Sequence, residues 1–160
     1  MIPLDKKGEP VCNAIVWMDH RCREEFFRLK NKFGDDFFYQ KTGHRLTAAS
    51  PLLKICWLRK NRPSIFKKID KFSFVGDYIT YKLTNKWVID PSSAAMTMIY
   101  NLRKNVWDEE LLEIADISES YLPEISDSGE VVDQVSSSIA KEIGLTYNEV
   151  IVSNGGHDQY

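Results

Sequence analysis

The sequence lacks several features that mark specialised classes of protein. Its three cysteines, Cys12, Cys22 and Cys56, are an odd number without a CxxC spacing, so they indicate neither a disulfide framework nor a zinc site. No apolar run approaches the roughly 18 residues of a membrane span, and the first residues lack the apolar run of a signal peptide. We therefore expect a cytoplasmic protein that is not bound to a membrane.

A strong excess of charge of either sign is also missing. The chain has 160 residues, with 21 Lys+Arg against 23 Asp+Glu and a net charge of −2. Because its charges nearly cancel, the protein is expected to lack the broad positive field that attracts nucleic acid. With 43% hydrophobic and 12% aromatic residues, the chain can build a core that buries roughly 68–70% of its unfolded surface. We expect one soluble globular unit that needs no structural metal.

Hydrophobic patterns predict an α/β fold with a mixed sheet and flanking helices. The apolar run at residues 13–18 predicts a buried strand, and apolar periodicity over residues 21–33 predicts a helix that Asp19 caps and Gly34 ends. Ser50 as N-cap and Pro51 at the first helical position predict a second helix, which breaks before Pro63.

The rest of the chain alternates in the same way. The patterns predict helices over residues 65–69, 76–83, 107–115 and 136–143, short strands over 87–89 and 150–152, a polar loop over 90–93, and a surface crossing over 121–133. The last strand is predicted to be buried, because it is purely apolar.

The end of the chain carries the strongest candidate for chemistry. Gly155 and Gly156 follow the last predicted strand directly, where α/β proteins place ligand-binding residues, and glycines let backbone approach a ligand closely. Asp158 could then act as a general base toward a substrate hydroxyl. From these residues alone, a tight turn with a solvated Asp158 is the favoured alternative. His157 is more often a structural hydrogen-bonding residue than a ligand, because the other histidines are scattered.

A second candidate lies between the first strand and the first helix. Trp17 could form an apolar wall for a polyol, with Asp19 and Arg21 supplying polar groups. The alternative is a core Trp17, a helix cap at Asp19 and an Asp19–Arg21 pair that braces the corner. The spacing leaves the two readings about even. Neither GxxxxGK[ST] nor GxGxxG occurs, so no phosphate-binding loop is recognised in the chain.

Several motifs together resemble those of the FGGY carbohydrate kinases. The segment Ser50-Pro-Leu-Leu-Lys54-Ile-Cys-Trp57-Leu-Arg-Lys-Asn61 resembles the first signature of that family. Further matching segments occur in the family's order: 17–21, 42–43, 71–84, 90–94, 107–112, 122–123, 128–131 and 155–159. Agreement along nearly the whole chain is more specific than any single motif.

The resemblance implies an ATP-dependent kinase of sugars or polyols with an actin-like or RNase H-like fold, which uses ATP and Mg²⁺ and takes a small-molecule sugar. Asp158 then corresponds to the general base, Gln159 to a substrate contact and Trp17 to the apolar wall. Asp19 belongs to the same substrate-site motif, and Lys54 and Trp57 look like scaffold residues. The resemblance also allows a homodimer.

Two departures from the family pattern refine these expectations. Ala49 stands at or beside a position where glycerol- and xylulose-type members can carry a large substrate-contacting side chain, so the resemblance implies a roomier pocket or a contact supplied from elsewhere, and glycerol is disfavoured. The family's opening strands, its Asp-x-Gly-Thr loop and its ATP-binding second domain have no counterpart here. Residues 1–160 therefore correspond to the later part of the N-terminal, substrate-binding domain, with no nucleotide or metal ligands of their own.

The motifs point to two subgroups. The stretch from Thr42 to Lys54 favours gluconokinase-like members, whereas the Gly-Gly-His-Asp-Gln ending favours xylulokinase-like members. We give more weight to the ending because it holds the catalytic position. A non-catalytic sugar-binding or regulatory module is the alternative from another class.

Overall fold

The computed structural model describes residues 1–146 and 150–157. Within this part of the chain the helices are α1 (Arg23–Thr42), α2 (Pro51–Asn61), α3 (Pro63–Phe66), α4 (Val75–Thr84), α5 (Pro91–Ala95), α6 (Glu109–Ala115) and α7 (Ser137–Ile143). The strands are β1 (Ile2–Leu4), β2 (Lys71–Ser73), β3 (Val88–Ile89), β4 (Tyr100–Asn101), β5 (Val106–Trp107), β6 (Glu124–Ile125), β7 (Val131–Gln134) and β8 (Ile151–Ser153).

The strands pair in both directions, as the predicted mixed arrangement requires. The pairs β1–β2, β4–β5 and β7–β8 are antiparallel, whereas β3 and β6 run parallel. The parallel pair joins strands that lie far apart in sequence, and α5, β4, β5 and α6 lie between them along the chain.

Helix α2 lies at the centre of the hydrophobic core. It begins at Pro51 after the N-cap Ser50, as predicted. Leu52, Leu53 and Ile55 are fully buried, and the helix packs against α1, α3 and α6. A helix that is apolar on most of its faces needs neighbours on most sides, so α2 fixes the positions of the elements around it.

The predicted strand at residues 13–18 is wrong. Ile15 pairs with Met1 through two backbone hydrogen bonds of 2.9 and 3.0 Å, but no strand forms over these residues. Ile15 is buried, whereas Val16, Trp17 and Met18 are exposed. The apolar run therefore has only one residue in the core, and the others face outward.

Helix α1 is longer than predicted and bends in its middle. Gly34, at φ 78° and ψ 169°, interrupts the helical backbone, and helix resumes beyond it up to Thr42. Glycine tolerates this conformation because it has no Cβ. The predicted helix end at Gly34 is thus an interruption. The prediction that Asp19 caps the helix is wrong, since Cys22 is the N-cap and makes no side-chain capping bond.

The predicted polar loop at residues 90–93 is wrong as well. Asp90 is the N-cap of α5, and its carboxylate accepts hydrogen bonds from the backbone N–H groups of Ser92 (2.8 Å) and Ser93 (3.0 Å). Pro91 occupies the first turn, where its missing N–H costs nothing. The segment is therefore a short helix with a complete cap.

The last elements agree in type with the predictions, with one difference in burial. Helix α7 ends at Gly144, which adopts the left-handed conformation at φ 76°. Strand β8 forms as predicted and pairs with β7, but Ile151 is 59% exposed. The predicted burial of this strand is wrong, because Ile151 and Ser153 are exposed and Val152 is only half-buried.

Candidate functional site

One cleft brings together the two regions that the sequence singles out. Its volume is about 620 Å³, within the range of about 300–1,000 Å³ typical of ligand sites. Its lining comes mainly from Ile15 to Trp17, the start of α4, the residues around Asp90 and α5, and the segment from Asn154 to His157, with Met1 and Pro51 beside them. Regions at opposite ends of the chain therefore face one another.

Trp17 forms an open apolar wall of this cleft. Its side chain is 73% exposed, so the alternative of a core tryptophan is wrong. Val16 and Val75, both largely exposed, extend the apolar surface along the lining. An exposed indole beside a cavity suits the CH face of a small polar ligand.

A buried lysine fixes the backbone beside this wall. The Lys54 Nζ donates a hydrogen bond of 2.9 Å to the carbonyl oxygen of Val16, and Lys54 is 2% exposed. Burial lowers the pKa of Lys54 below its usual value. The lysine of the signature helix α2 thus holds the segment that carries Trp17.

Asp19 and Arg21 form a bidentate pair at the start of the first helical region. Arg21 Nε and Nη2 lie 2.8 and 2.6 Å from the two carboxylate oxygens of Asp19, and the Arg21 guanidinium lies 4.8 Å from the ring centre of Trp57. Hydrogen bonding by Arg21 lowers the pKa of Asp19. The pair braces this corner, which is the one correct part of the alternative reading, since Trp17 is exposed and Asp19 is not the helix cap.

The structure does not bring every predicted substrate residue to the cleft lining. Among residues 1–146 and 150–157, the lining includes Trp17 but neither Asp19 nor Ala49. Ala49 is half-buried, and Pro51, two residues further on, does line the cleft. Substrate contacts by Asp19 and Ala49 stay predictions.

The glycine segment at the end of β8 is tied to the loop after β6. The buried Asn154 donates from its side chain to the carbonyl of Ser126 (2.6 Å). Its backbone N–H donates to Glu130 (2.7 Å), and its carbonyl accepts from Gly129 (2.8 Å). These three bonds fix the chain just before Gly155.

A second tie holds the other end of the same segment. The Oγ of Ser92 accepts a hydrogen bond of 2.8 Å from the backbone N–H of His157, and the same hydroxyl donates to the carboxylate of Asp90. Burial alone would raise the pKa of Asp90, but the hydrogen bonds from Ser92 and Ser93 outweigh it and lower the pKa. Two glycines are therefore held between Asn154 and His157, with their backbone beside the cleft.

The predicted base and its neighbour, Asp158 and Gln159, lie outside the described residues. Their roles stay predictions. Asp158 follows His157 directly in the sequence, so the last described position before it is the one that Ser92 holds.

Asp77 is a polar group of the cleft that the sequence did not single out as functional. It is 4% exposed and lines the cavity from α4. It accepts hydrogen bonds from the Phe74 N–H (2.8 Å), the Trp87 indole (3.3 Å) and the Ser73 hydroxyl. Burial raises the pKa of Asp77 to about 7 in spite of these bonds. An Asp in the first turn of a helix predicts a capping role, and nothing in the local sequence predicts that Asp77 is buried beside a cleft.

Neither a metal site nor a membrane span is found in the described part of the chain. Across residues 1–146 and 150–157, no group of three or more His, Cys, Asp or Glu side chains is placed to hold a metal ion. The helices described there are also too short or too polar to cross a membrane.

Comparison with known proteins gives the same family along the whole chain. The model of the N-terminal domain of the FGGY family of carbohydrate kinases matches residues 1–160. The glycerol kinase of Thermococcus kodakarensis is 40% identical over 131 residues, which are 79% of this chain and 26% of that protein. The xylulose kinase of Staphylococcus xylosus is 30% identical over 158 residues, which are 99% of this chain and 33% of that protein.

A solved structure supports the same assignment. The crystal structure of gluconate kinase from Lactobacillus acidophilus superposes with a TM-score of 0.92 at 30% identity, covering 98% of this chain and 32% of that one. The chain thus spans about a quarter to a third of the length of the relatives it matches. It belongs to the FGGY family of carbohydrate kinases, and the predicted α/β, actin-like or RNase H-like fold class is confirmed.

Proposed function

We propose that residues 1–160 form the later part of the substrate-binding domain of a kinase that transfers a phosphoryl group from ATP to a hydroxyl of a sugar or polyol. The observation that carries this proposal is the cleft between Trp17 and the segment from Gly155 to His157. This segment leads straight into Asp158, and the family match spans all of these residues.

The proposed chemistry uses few groups of this chain. The CH face of the sugar packs on Trp17, and the side-chain-free Gly155 and Gly156 let hydroxyl groups approach the backbone. Asp158 accepts the proton of the reacting sugar hydroxyl. The oxygen of that hydroxyl attacks the γ-phosphorus of ATP, and ADP departs. Gln159 contacts the sugar beside the base.

The phosphoryl donor is expected to bind on parts of the protein outside these residues. ATP arrives with Mg²⁺, which offsets the negative charge of the phosphates. What this chain supplies is the orientation of the sugar and the position of its base, and positioning is a large part of the barrier reduction in such reactions.

Among substrates, we favour a pentulose such as xylulose. The Gly-Gly-His-Asp-Gln ending supports a xylulokinase-like enzyme, and the xylulose kinase of Staphylococcus xylosus aligns with 99% of the chain. Glycerol, which Ala49 disfavours, is nevertheless the second candidate, because the glycerol kinase of Thermococcus kodakarensis shows 40% identity over a shorter stretch. Gluconate is a third, supported by the superposed gluconate kinase.

The test compares phosphoryl transfer to pentuloses, glycerol, gluconate and hexuloses by the complete enzyme that contains this chain. The preferred substrate is the one with the highest kcat/KM, and we expect a pentulose. Asp158→Asn should lower kcat by at least about 10², from the range for general-base catalysis, while sugar binding persists.

The matched control is Asp36→Asn, because Asp36 is an exposed carboxylate on α1. It should leave kcat unchanged. Near-normal turnover by Asp158→Asn would remove Asp158 from the mechanism. Sugar binding without any ATP-dependent transfer would favour the non-catalytic binding module.

A further inference from the structure

The segment that carries the predicted base is fixed by a residue on a different helix. His157 and Ser92 are 65 residues apart in sequence, yet the His157 N–H lies 2.8 Å from the Ser92 Oγ. Ser92 belongs to α5, whose N-cap is Asp90. The contact therefore joins the start of α5 to the chain beyond β8.

The Ser92 hydroxyl is itself oriented. It donates to the Asp90 carboxylate, so its lone pairs point away from Asp90 and are free to accept from the His157 N–H. A hydroxyl that donates to a carboxylate is a better acceptor, because hydrogen bonds in a chain polarise one another. The hydrogen bonds thus run from the His157 N–H to the Ser92 hydroxyl and from that hydroxyl to the Asp90 carboxylate.

The glycines make this contact more important than an ordinary loop bond. Gly155 and Gly156 have the greatest backbone freedom of any residue type, and nothing lies within 4 Å of a Cβ built on Gly155. Asn154 is anchored on one side by Ser126 and Glu130. On the other side of the two glycines, the Ser92 hydroxyl holds the backbone N–H of His157.

We propose that Ser92 is a positioning residue, whose hydroxyl, oriented by Asp90, holds the His157 backbone and thereby sets the place of the next side chain, Asp158. This inference rests on the proposed function, since it needs Asp158 as the base. It goes beyond that function because it gives the first turn of α5 a role in the reaction, although Ser92 need not contact the sugar. A displacement of about 1 Å at a reacting group can cost as much as 10²-fold in rate.

The chain offers a clean way to remove the contact. In Ser92→Ala, Asp90 still accepts from the backbone N–H groups of residues 92 and 93, so the cap of α5 remains. The His157 N–H loses its acceptor, and the Asp90 carboxylate loses the hydroxyl donor while it keeps its two backbone donors. Ser92→Thr keeps the hydroxyl and serves as the conservative variant.

The control removes a buried, hydrogen-bonded hydroxyl that does not line the cleft. Thr42 is fully buried, and its Oγ1 donates to the Phe38 carbonyl (2.9 Å) and accepts from the His44 N–H (3.2 Å). Thr42→Val keeps the shape of the side chain and removes both bonds. It reports the effect of a lost hydroxyl on stability without any effect on the glycine segment.

The experiment measures kcat, sugar KM, melting temperature and amide hydrogen exchange at His157 in the complete enzyme. For Ser92→Ala we expect kcat to fall about tenfold, the effect of one hydrogen bond, with sugar KM within about twofold. Exchange at His157 should speed up about tenfold and the melting temperature should stay near that of the wild type. Ser92→Thr should retain most of kcat, and Thr42→Val should keep wild-type kcat.

Three results would overturn the inference: wild-type kcat in Ser92→Ala, unchanged exchange at His157, or an equal loss of kcat in Thr42→Val. If Ser92→Ala does not fold, Ser92→Cys replaces it with the same outcomes, because a thiol is a weak acceptor. The proposed function fails separately: in that case Asp158→Asn itself retains turnover. If Asp158→Asn is inactive and Ser92→Ala is normal, only the role of Ser92 is wrong.

Discussion

The ammonium group of Lys54 lies 2.9 Å from the carbonyl oxygen of Val16, and it links the buried helix α2 to the exposed wall of the cleft. Lys54 is almost fully buried, whereas Val16 and Trp17 are more than half exposed. A charge in the core is costly unless it is hydrogen-bonded. Its contact with the backbone next to Trp17 therefore places a structural lysine beside the wall of the cleft.

Lys54→Met tests this link. Methionine fills similar space without the charge, so the cost of burying the ammonium group is removed. The Val16 carbonyl loses its Lys54 donor and is expected to bond to water instead. We expect sugar KM to rise about tenfold, as for the loss of one hydrogen bond to a charged group, with little change in the KM for ATP. Steady-state kinetics of the complete enzyme measure both constants.

Lys60→Met is the control for that variant. Lys60 lies on the same helix but is exposed and pairs with Glu24 at 3.0 Å. Exposed pairs contribute at most about 1 kcal/mol, so both KM values should stay at wild-type levels. An unchanged sugar KM in Lys54→Met would show that Trp17 needs no support from α2.

Ala49→Phe tests the size of the pocket. Ala49 precedes the N-cap Ser50 of α2 and is half-buried, and Pro51 lines the cleft. A large ring at this position should reach toward the cleft and alter sugar affinity more than ATP affinity. Titration calorimetry with sugar and with nucleotide distinguishes the two, and equal effects on both would refute the placement of Ala49 on the sugar side.

The carboxyl group of Asp77 predicts an unusual pH dependence of stability. Burial raises its pKa from 3.8 to about 7, so between these values the folded state holds a proton that the unfolded state releases. The contribution of Asp77 to stability is therefore present below about pH 4 and declines as the pH rises toward 7.

Asp77→Asn removes this ionisation. Relative to the wild type, the variant should gain at least about 1 kcal/mol of unfolding free energy between pH 5 and pH 8. Urea unfolding at the two pH values measures the difference, with Asp36→Asn as an exposed control. A difference that does not change with pH would contradict the raised pKa of Asp77.

Asp108 predicts a stability effect away from the cleft. As the N-cap of α6 it accepts hydrogen bonds from the Leu111 N–H (3.2 Å), the Asn101 amide (2.7 Å) and the Lys41 ammonium (3.0 Å). Asp108→Ala should lower the free energy of unfolding by about 2–4 kcal/mol, because a cap is lost and the buried Asn101 amide loses its acceptor.

Glu110→Ala is the matched control for Asp108. Glu110 also pairs with Lys41, but its side chain is 63% exposed, so its removal should cost less than about 1 kcal/mol. Thermal unfolding of both variants gives the comparison. Equal losses would mean that the surface pair, and not the cap, stabilises α6.

Local signals explain which elements could be predicted. Ser50 with Pro51 marks the start of α2, and Gly144 marks the end of α7, because both positions depend on backbone chemistry within one turn. The same reasoning could have found α5. Asp90 followed by Pro91 is a cap and a first-turn proline, and the predicted loop overlooked it.

Other features depend on the tertiary structure. The apolar residues around Trp17 are typical of a buried strand, but an exposed apolar wall and a core strand have the same composition, so the sequence does not distinguish them. The contact between Ser92 and His157 joins positions 65 residues apart. The high pKa of Asp77 arises from burial, which its neighbours in sequence do not specify.

The exposure of Trp17 also gives the molecule an optical property. The Trp17 indole is 73% exposed, so it fluoresces from a solvent-exposed environment. The Trp107 indole is buried and donates to the Pro123 carbonyl at 2.9 Å. A ligand that packs on Trp17 would dehydrate that ring and shift its emission to shorter wavelength. The wall of the cleft is therefore an intrinsic fluorophore, and occupancy of the site can be followed without any added label.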